Sequence, residues 1–322
     1  MIGLGCVAVD EVLCVPSFPK ADQKLQVKEC IRRFGGLTGA ALVAAARLGA
    51  RCAYAGCLGK DEASGQVAAN FVAEGINVAH APRFAQGRIV QSIIIVGKDR
   101  GTRNVFYRAD GQIGAHPRLP SASMLRAAKV LLIDDYGMAG NLRAARIARR
   151  SSVPVVADFE KTGTPGLRQV MDVVDHLIVS ESFACAFTGA SHAAEAAVAL
   201  WHPGRAAVIV TCGKHGSYCV SSTGQTRACL TPAYRVLEAD TTGCGDVFHG
   251  AYAASLAQGE SLERRVAFAS AAAALKARDL ETPRRAQVEQ FLNALPTRER
   301  RSTRSTRTRR GIRVSLRSSA KS

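Results

Sequence analysis

Aromatic residues are scarce, 6% of 322 positions with a single Trp, and none of the ten cysteines forms a Cys-x-x-Cys pair. The missing pair removes zinc-ribbon and thioredoxin-type readings, and thiols scattered in this way fit free cysteines in a reducing compartment. No apolar run reaches the roughly 18 residues that a membrane span needs. The apolar stretch Ile2 to Val9 is short and has no basic leader, so it reads as a first strand and not as a signal peptide. The expectation is a cytoplasmic protein without a membrane partner. No G-x-G-x-x-G follows that strand, which removes a dinucleotide-binding dehydrogenase. Internal repeats are also absent.

Acidic residues are few against basic ones, 26 against 43, for a formal charge of +17. Much of that excess is local. From Arg298 to Ser322 ten Lys/Arg face one acid, Glu299, which accounts for +9. Interleaved Ser and Thr and few apolar residues make this segment a solvated tail that attracts polyanions without specificity. It contains no aromatic residue on which bases could stack, so it is not read as a nucleic-acid module. The division expected is a folded unit over residues 1–296 and a disordered basic tail over 297–322.

An apolar share of 47% in a chain of this length supports a large core. Beyond Pro120, short apolar strands (Val130 to Ile133, Val153 to Ala157, His176 to Val179, Ala207 to Thr211) alternate with helical segments. That rhythm predicts a mostly parallel sheet covered on both faces. Two earlier stretches break it. Residues 12–34 and 89–107 alternate polar and apolar positions and read as the strands of a small separate sheet.

The chemistry concentrates in Asp240-Thr241-Thr242-Gly243-Cys244-Gly245-Asp246, which opens into an Ala-rich helix. Glycines let the backbone approach a ligand, and unpaired N–H groups with the positive end of the helix dipole receive an anion. Asp246 beside such an anion can take a proton from an attacking hydroxyl. Read alone, Asp246 is equally a helix cap. Cys244, at a helix start, is the thiol whose setting favours a reactive thiolate.

This string resembles the C-terminal signature of the ribokinase-like (PfkB) carbohydrate kinases, D-T-x-G-A-G-D, with Cys244 in place of Ala. An upstream stretch, Gly35-Gly36-Leu37-Thr38-Gly39-Ala40 through Gly56-Cys57-Leu58-Gly59-Lys60-Asp61, is similar to the family's first signature. It departs at Leu37 and Ala40, where Asn is common. The resemblance covers about Ile2 to Leu292. It implies a three-layer α/β/α fold with a mostly parallel central sheet and a β-sheet lid, ATP with Mg2+, a sugar substrate, and a homodimer through the lid; it admits a monovalent cation.

Carried over residue by residue, the resemblance makes Asp246 the general base and Gly243, Cys244 and Gly245 the anion hole. Asp10 and Gly35-Gly36 would meet the sugar. Thr211, Gly213 and Gly216, in a T-x-G-x-x-G loop, would hold the nucleotide with Thr241 and Thr242. Glu181 would help to position Mg2+, with Ser180 where the family usually has Asn. Asp158-Phe159-Glu160-Lys161 is similar to the ketohexokinases, and Asp-Val-Phe-His-Gly at 246–250 to the sulfofructose kinase branch. Both phosphorylate the C1 hydroxyl of a ketose, which adds Lys161 to the substrate side. Arg33, Arg103, Arg108 and Lys161 are either ligands for an anionic group on the substrate or solvated surface charges. A nucleoside kinase of the same fold, with Phe106 and Tyr107 as base-stacking candidates, and a non-catalytic sugar- or nucleotide-binding regulator are the alternatives.

Overall fold

The computed structural model describes residues 1–97, 99, 102–221 and 225–294. The basic tail expected over 297–322 lies outside the described residues. In chain order the elements are β1 (Ile2–Leu4), β2 (Ala8–Val15), β3 (Glu29–Gly35), α1 (Leu37–Arg47), β4 (Ala53–Tyr54), α2 (Glu62–Ala73), β5 (Val90–Gly97) and β6 (Thr102–Arg108). Then come α3 (Ala122–Arg126), β7 (Leu131–Ile133), α4 (Met138–Arg150), β8 (Val155–Phe159), α5 (Leu167–Met171), β9 (His176–Ser180), α6 (Glu181–Thr188) and α7 (Ala193–Leu200). The chain continues through β10 (Ala207–Thr211), β11 (Ser217–Ser221), β12 (Gln225–Thr231), α8 (Cys244–Ala257), α9 (Leu262–Asp279) and α10 (Arg285–Ala294).

The main sheet runs β12-β11-β10-β9-β8-β7-β1-β4. It is parallel from β4 to β10 and antiparallel from β10 through β12. Successive strand residues feed opposite faces, as the pleat requires. Leu132, Val156, Ile178 and Ile209 enter one core with residues of α1, α8 and α9. Their neighbours Leu131, Ile133, Val155, Ala157, Leu177, Val179, Val208 and Val210 enter the other, with residues of α4, α5 and α7. Burial on both faces explains why these strands are continuous apolar runs in the sequence. Alanine dominates the facing helix surfaces (Ala251, Ala253 and Ala254 on α8; Ala269, Ala271 and Ala272 on α9), which lets helix backbones sit close. Among the described residues no single helix is long and apolar enough to cross a membrane.

The expected first strand, Ile2 to Val9, divides in two. β1 stays in the main sheet, while β2 enters a second sheet of order β3-β2-β5-β6. The cause is local. The Cys6 amide leaves the ladder to donate to Asp134 Oδ2 at 2.6 Å, and a Cβ at Gly5 would lie 2.2 Å from Thr38 Oγ1. Asp10, which directly follows the stretch expected to be one core strand, therefore does not end a strand of the main sheet. It sits within a lid strand, paired in register with Arg33 and Ser92. The edge strand β4 is only two residues long. The strands β11 and β12 and the helices α3 and α10 were not anticipated.

Candidate active site

The C-terminal edge of the main sheet brings together three loop systems. The first is the turn into α8. Gly243 is its N-cap at φ 75°, ψ 4°, a left-handed conformation that glycine adopts without steric cost, and Asp246 lies in the first turn. Asp240 Oδ1 braces this turn by accepting from the Thr242 amide at 2.9 Å and the Thr242 hydroxyl at 2.7 Å. Although burial opposes ionisation there, the Thr242 hydrogen bonds and the nearby Arg33 and Lys276 charges hold the Asp240 carboxyl below its usual range. A Cβ at Gly245 would meet nothing within 4 Å, so that side of the turn is open. The half-buried Asp246 is pushed well above the ordinary carboxylate range by burial first and by the charge of Asp158 next, with His249 opposing. A carboxyl whose charged form is disfavoured in this way holds a proton more readily than an ordinary one.

Cys244 does not have the reactive character that its position suggested. Burial pushes its thiol up to about 11 even though Lys276 pulls the other way. Desolvation of the thiolate outweighs the helix start.

The second system is formed by the chain segments leaving β9 and β10. Thr211 and Ser180 are register partners, so the β10 loop and the first residue of α6, Glu181, lie side by side. Burial chiefly, and Glu181 next, raise the Cys212 thiol to about 11. The loop is tight: the Cys212 amide donates to the Gly216 carbonyl at 2.8 Å. A Cβ at Gly216 would lie 2.0 Å from the Thr231 carbonyl oxygen, so this glycine is required by the chain's own packing.

The third system is the junction of lid and body. Ser92 Oγ donates to Asp10 Oδ1, and the other Asp10 oxygen would lie 3.1 Å from a Cβ at Gly35. At Gly36, with φ 84°, an added Cβ would lie 2.7 Å from Val7 Cα. The di-glycine therefore serves the crossing of two backbone segments, whatever else approaches it. Lys161 donates its amide to Asp135 Oδ2 at 3.2 Å and its ammonium to Tyr136 Oη at 3.1 Å. The ammonium also lies over the rings of Tyr136 (4.9 Å) and the lid residue Tyr107 (5.6 Å). From the same lid, Arg103 reaches Thr242 Oγ1 at 2.7 Å. Two of the four basic candidates thus bridge lid and body, whereas Arg108 pairs with exposed Asp110.

The profile of the pfkB family carbohydrate kinases matches residues 4–283. The chain belongs to that family. This carbohydrate kinase is 28% identical over 308 residues to a ribokinase of Haemophilus influenzae, covering 90% of the present chain and 97% of the relative. It is 27% identical to fructokinase-1 of Oryza sativa, covering 86% and 91%. Among solved structures, ribokinase from Thermotoga maritima superposes with a TM-score of 0.79 at 26% identity, covering 91% and 98%. The three-layer fold and the separate lid sheet agree with those neighbours.

Asp135 and Tyr136 contact Lys161, His249 contacts Gly245, and Asp134 precedes Asp135, so these four lie beside the candidate residues without having been singled out from the sequence. Asp134 accepts from the Cys6 amide and from Thr38 Oγ1 at 2.8 Å, so it ties the β1–β2 crossing to the start of α1. Burial lifts its carboxyl to about 7 and that of Asp135 to about 6. Two consecutive carboxylates at the end of an apolar run were the available signal, because the ends of parallel strands are where such folds bind ligands.

Proposed function

We propose that the protein transfers the γ-phosphoryl group of ATP to a primary hydroxyl of a sugar or sugar derivative, with a ketose as the favoured class and Asp246 as the general base. The observation that carries this reading is the glycine-capped turn into α8, open at Gly245, with Asp246 in its first turn. The N–H groups of Gly243 and Gly245 face the charge that develops on the moving phosphoryl group, whereas the Cys244 amide, expected beside them, donates to the Thr241 carbonyl at 3.2 Å. Asp246 accepts the hydroxyl proton as the oxygen attacks. Asp10 and the Gly35-Gly36 backbone meet the sugar, and Lys161 addresses its far end. Thr211, Gly213 and Gly216 hold the nucleotide, together with Thr241 and Thr242.

No cluster of three His, Cys, Asp or Glu among the described residues is arranged to hold a metal on its own. The exposed Glu181 carboxylate, beside the β10 loop, is the kind of oxygen donor that Mg2+ takes together with waters and phosphate oxygens. Glu181 would hold it, directly or through water, and the bound ion would neutralise phosphate charge. A homodimer through the lid is part of the same reading, supported by Ile93, Val105 and Phe106, which stand about half exposed on β5 and β6.

The test is ADP release from Mg·ATP across a panel of ketoses, aldoses, sugar phosphates and nucleosides, with Asp246→Ala alongside. Turnover on one sugar, lost in the variant, supports the reading. A nucleoside as best substrate, or full activity in the variant, overturns it.

A further inference from the structure

His249 lies one turn after Asp246 on α8 and is 4% exposed. Each ring nitrogen lies against a backbone carbonyl oxygen, which can only accept. Nδ1 lies 2.8 Å from the Gly245 carbonyl oxygen and 3.2 Å from Asp158 Oδ2, and Nε2 lies 3.0 Å from the Ile178 carbonyl oxygen. A neutral imidazole donates from one nitrogen only and would set its other lone pair against an oxygen; a doubly protonated ring donates from both. Gly245 and Asp158 are also the groups that matter most to the proposed base. One supplies the peptide bond leading into Asp246, and the other carries the like charge that acts most strongly on it.

We infer that His249 is a positioning residue: protonated on both ring nitrogens and paired with Asp158, it fixes the Gly245 carbonyl and offsets the Asp158 charge beside Asp246. The inference rests on the reading of Asp246 as the base. Two neighbouring buried carboxylates cannot both ionise cheaply, so without a cation one of them keeps a proton. The His249 ring makes Asp158 half of a neutral pair and leaves Asp246 free to be the charged one. Other groups face this cluster. Burial first, then Glu160, Asp134 and Asp135 from the ends of β7 and β8, push Asp158 towards its neutral form, and the inferred pairing with the His249 ring works against that push. Lys276 approaches the Gly243 end from α9. The one charged residue of α1, Arg47, is committed to Glu74 at 2.6 Å. The ring is the cation-forming group in direct contact with Asp158.

The experiment compares pH profiles of kcat, on the best sugar of the panel, for wild type, His249→Asn and the double variant His249→Asn/Asp158→Asn. Asn keeps a donor for the Gly245 carbonyl but carries no charge. The single variant should shift the acidic limb upward by about one pH unit. The double variant, with both charges gone, should restore it. A limb unmoved in the single variant, or still displaced in the double, overturns the inference, since a purely structural loss lowers the rate at every pH and is not rescued by a second deletion. Nitrogen NMR of the imidazole rings in the wild-type full chain gives a second readout that needs neither turnover nor a foldable variant. Two protonated His249 ring nitrogens at pH 7 support the pairing, and one unprotonated nitrogen overturns it. A panel with no turnover would count against the kinase reading while leaving the NMR result to decide the pairing.

Discussion

The two sheets of this molecule are built on opposite rules. Every residue of β7 and β8 is buried, whereas β6 is exposed at six of its seven positions and β3 at five of seven. The main sheet holds the glycine-capped turn into α8 through close-packed alanine helices. The lid supplies Asp10, Arg103 and Tyr107 from a thin layer with little core of its own, a small cluster of Cys6, Ala8, Val90 and Ile113. The proposed base therefore sits on the well-packed layer, and the proposed sugar contact Asp10 on the thin one.

The sharpest break in that contrast is chemical. Asp246→Asn should lower kcat by about 10²–10⁴, the usual range for losing a general base, with little change in the melting temperature. Steady-state kinetics beside a thermal melt checks both halves. The next effect belongs to the body alone. Arg205 is 3% exposed and donates to the carbonyls of Val174, Leu200 and Met171; burial lowers its guanidinium to about 10. Arg205→Ala strands those oxygens and should cost about 3 kcal/mol in a urea titration, because breaking a buried charged network is expensive. On the lid side, Asp10→Ala should raise the KM for sugar about ten- to hundredfold, the worth of one or two charge-assisted hydrogen bonds, with a smaller effect on kcat. An unchanged KM would remove Asp10 from the sugar contacts. Smallest of all, Ile93→Ser with Val105→Ser should change stability by less than about 0.5 kcal/mol, as for other exposed sites, while shifting sedimentation towards the monomer.

The same contrast decides what is legible in the sequence. Core strands such as Ala207–Thr211 and helices such as Ala193–Leu200 are legible with correct ends, because two-sided burial writes itself as an apolar run and helix faces as small residues at helical spacing. The turn at 240–246 is legible because glycine and carboxylate chemistry is local. The break between β1 and β2 is not. Ile2 to Val9 is uniformly apolar, and its division is imposed by Asp134, 128 residues away from Cys6. For the same reason the sequence does not announce that Asp10 belongs to the second sheet. Gly36 and Gly216 look ligand-facing from their motifs, yet each also makes room for another stretch of backbone, which becomes visible only when distant segments meet. His249 stands inside a family string, but nothing in its neighbours on the chain announces Asp158 and Ile178 as its partners.

The way the chain enters and leaves the lid has a mechanical consequence. Three residues, Gly5 to Val7, connect β1 to β2, and a single residue, Gly36, separates β3 from α1. These two short tethers lie against each other, with the Gly39 amide on the Cys6 carbonyl at 3.1 Å. A three-residue strap reaches no more than about 11 Å, so the lid cannot drift away as a body. The other two crossings, into β5 and out of β6, are tied down on the same side, by the Val90 amide on the Val7 carbonyl and the Gln112 amide on the Gln86 carbonyl, both at 2.9 Å, so all four attachments lie along one line. Asp134, bonded to both sides of that line at Cys6 and Thr38, is the pin through it.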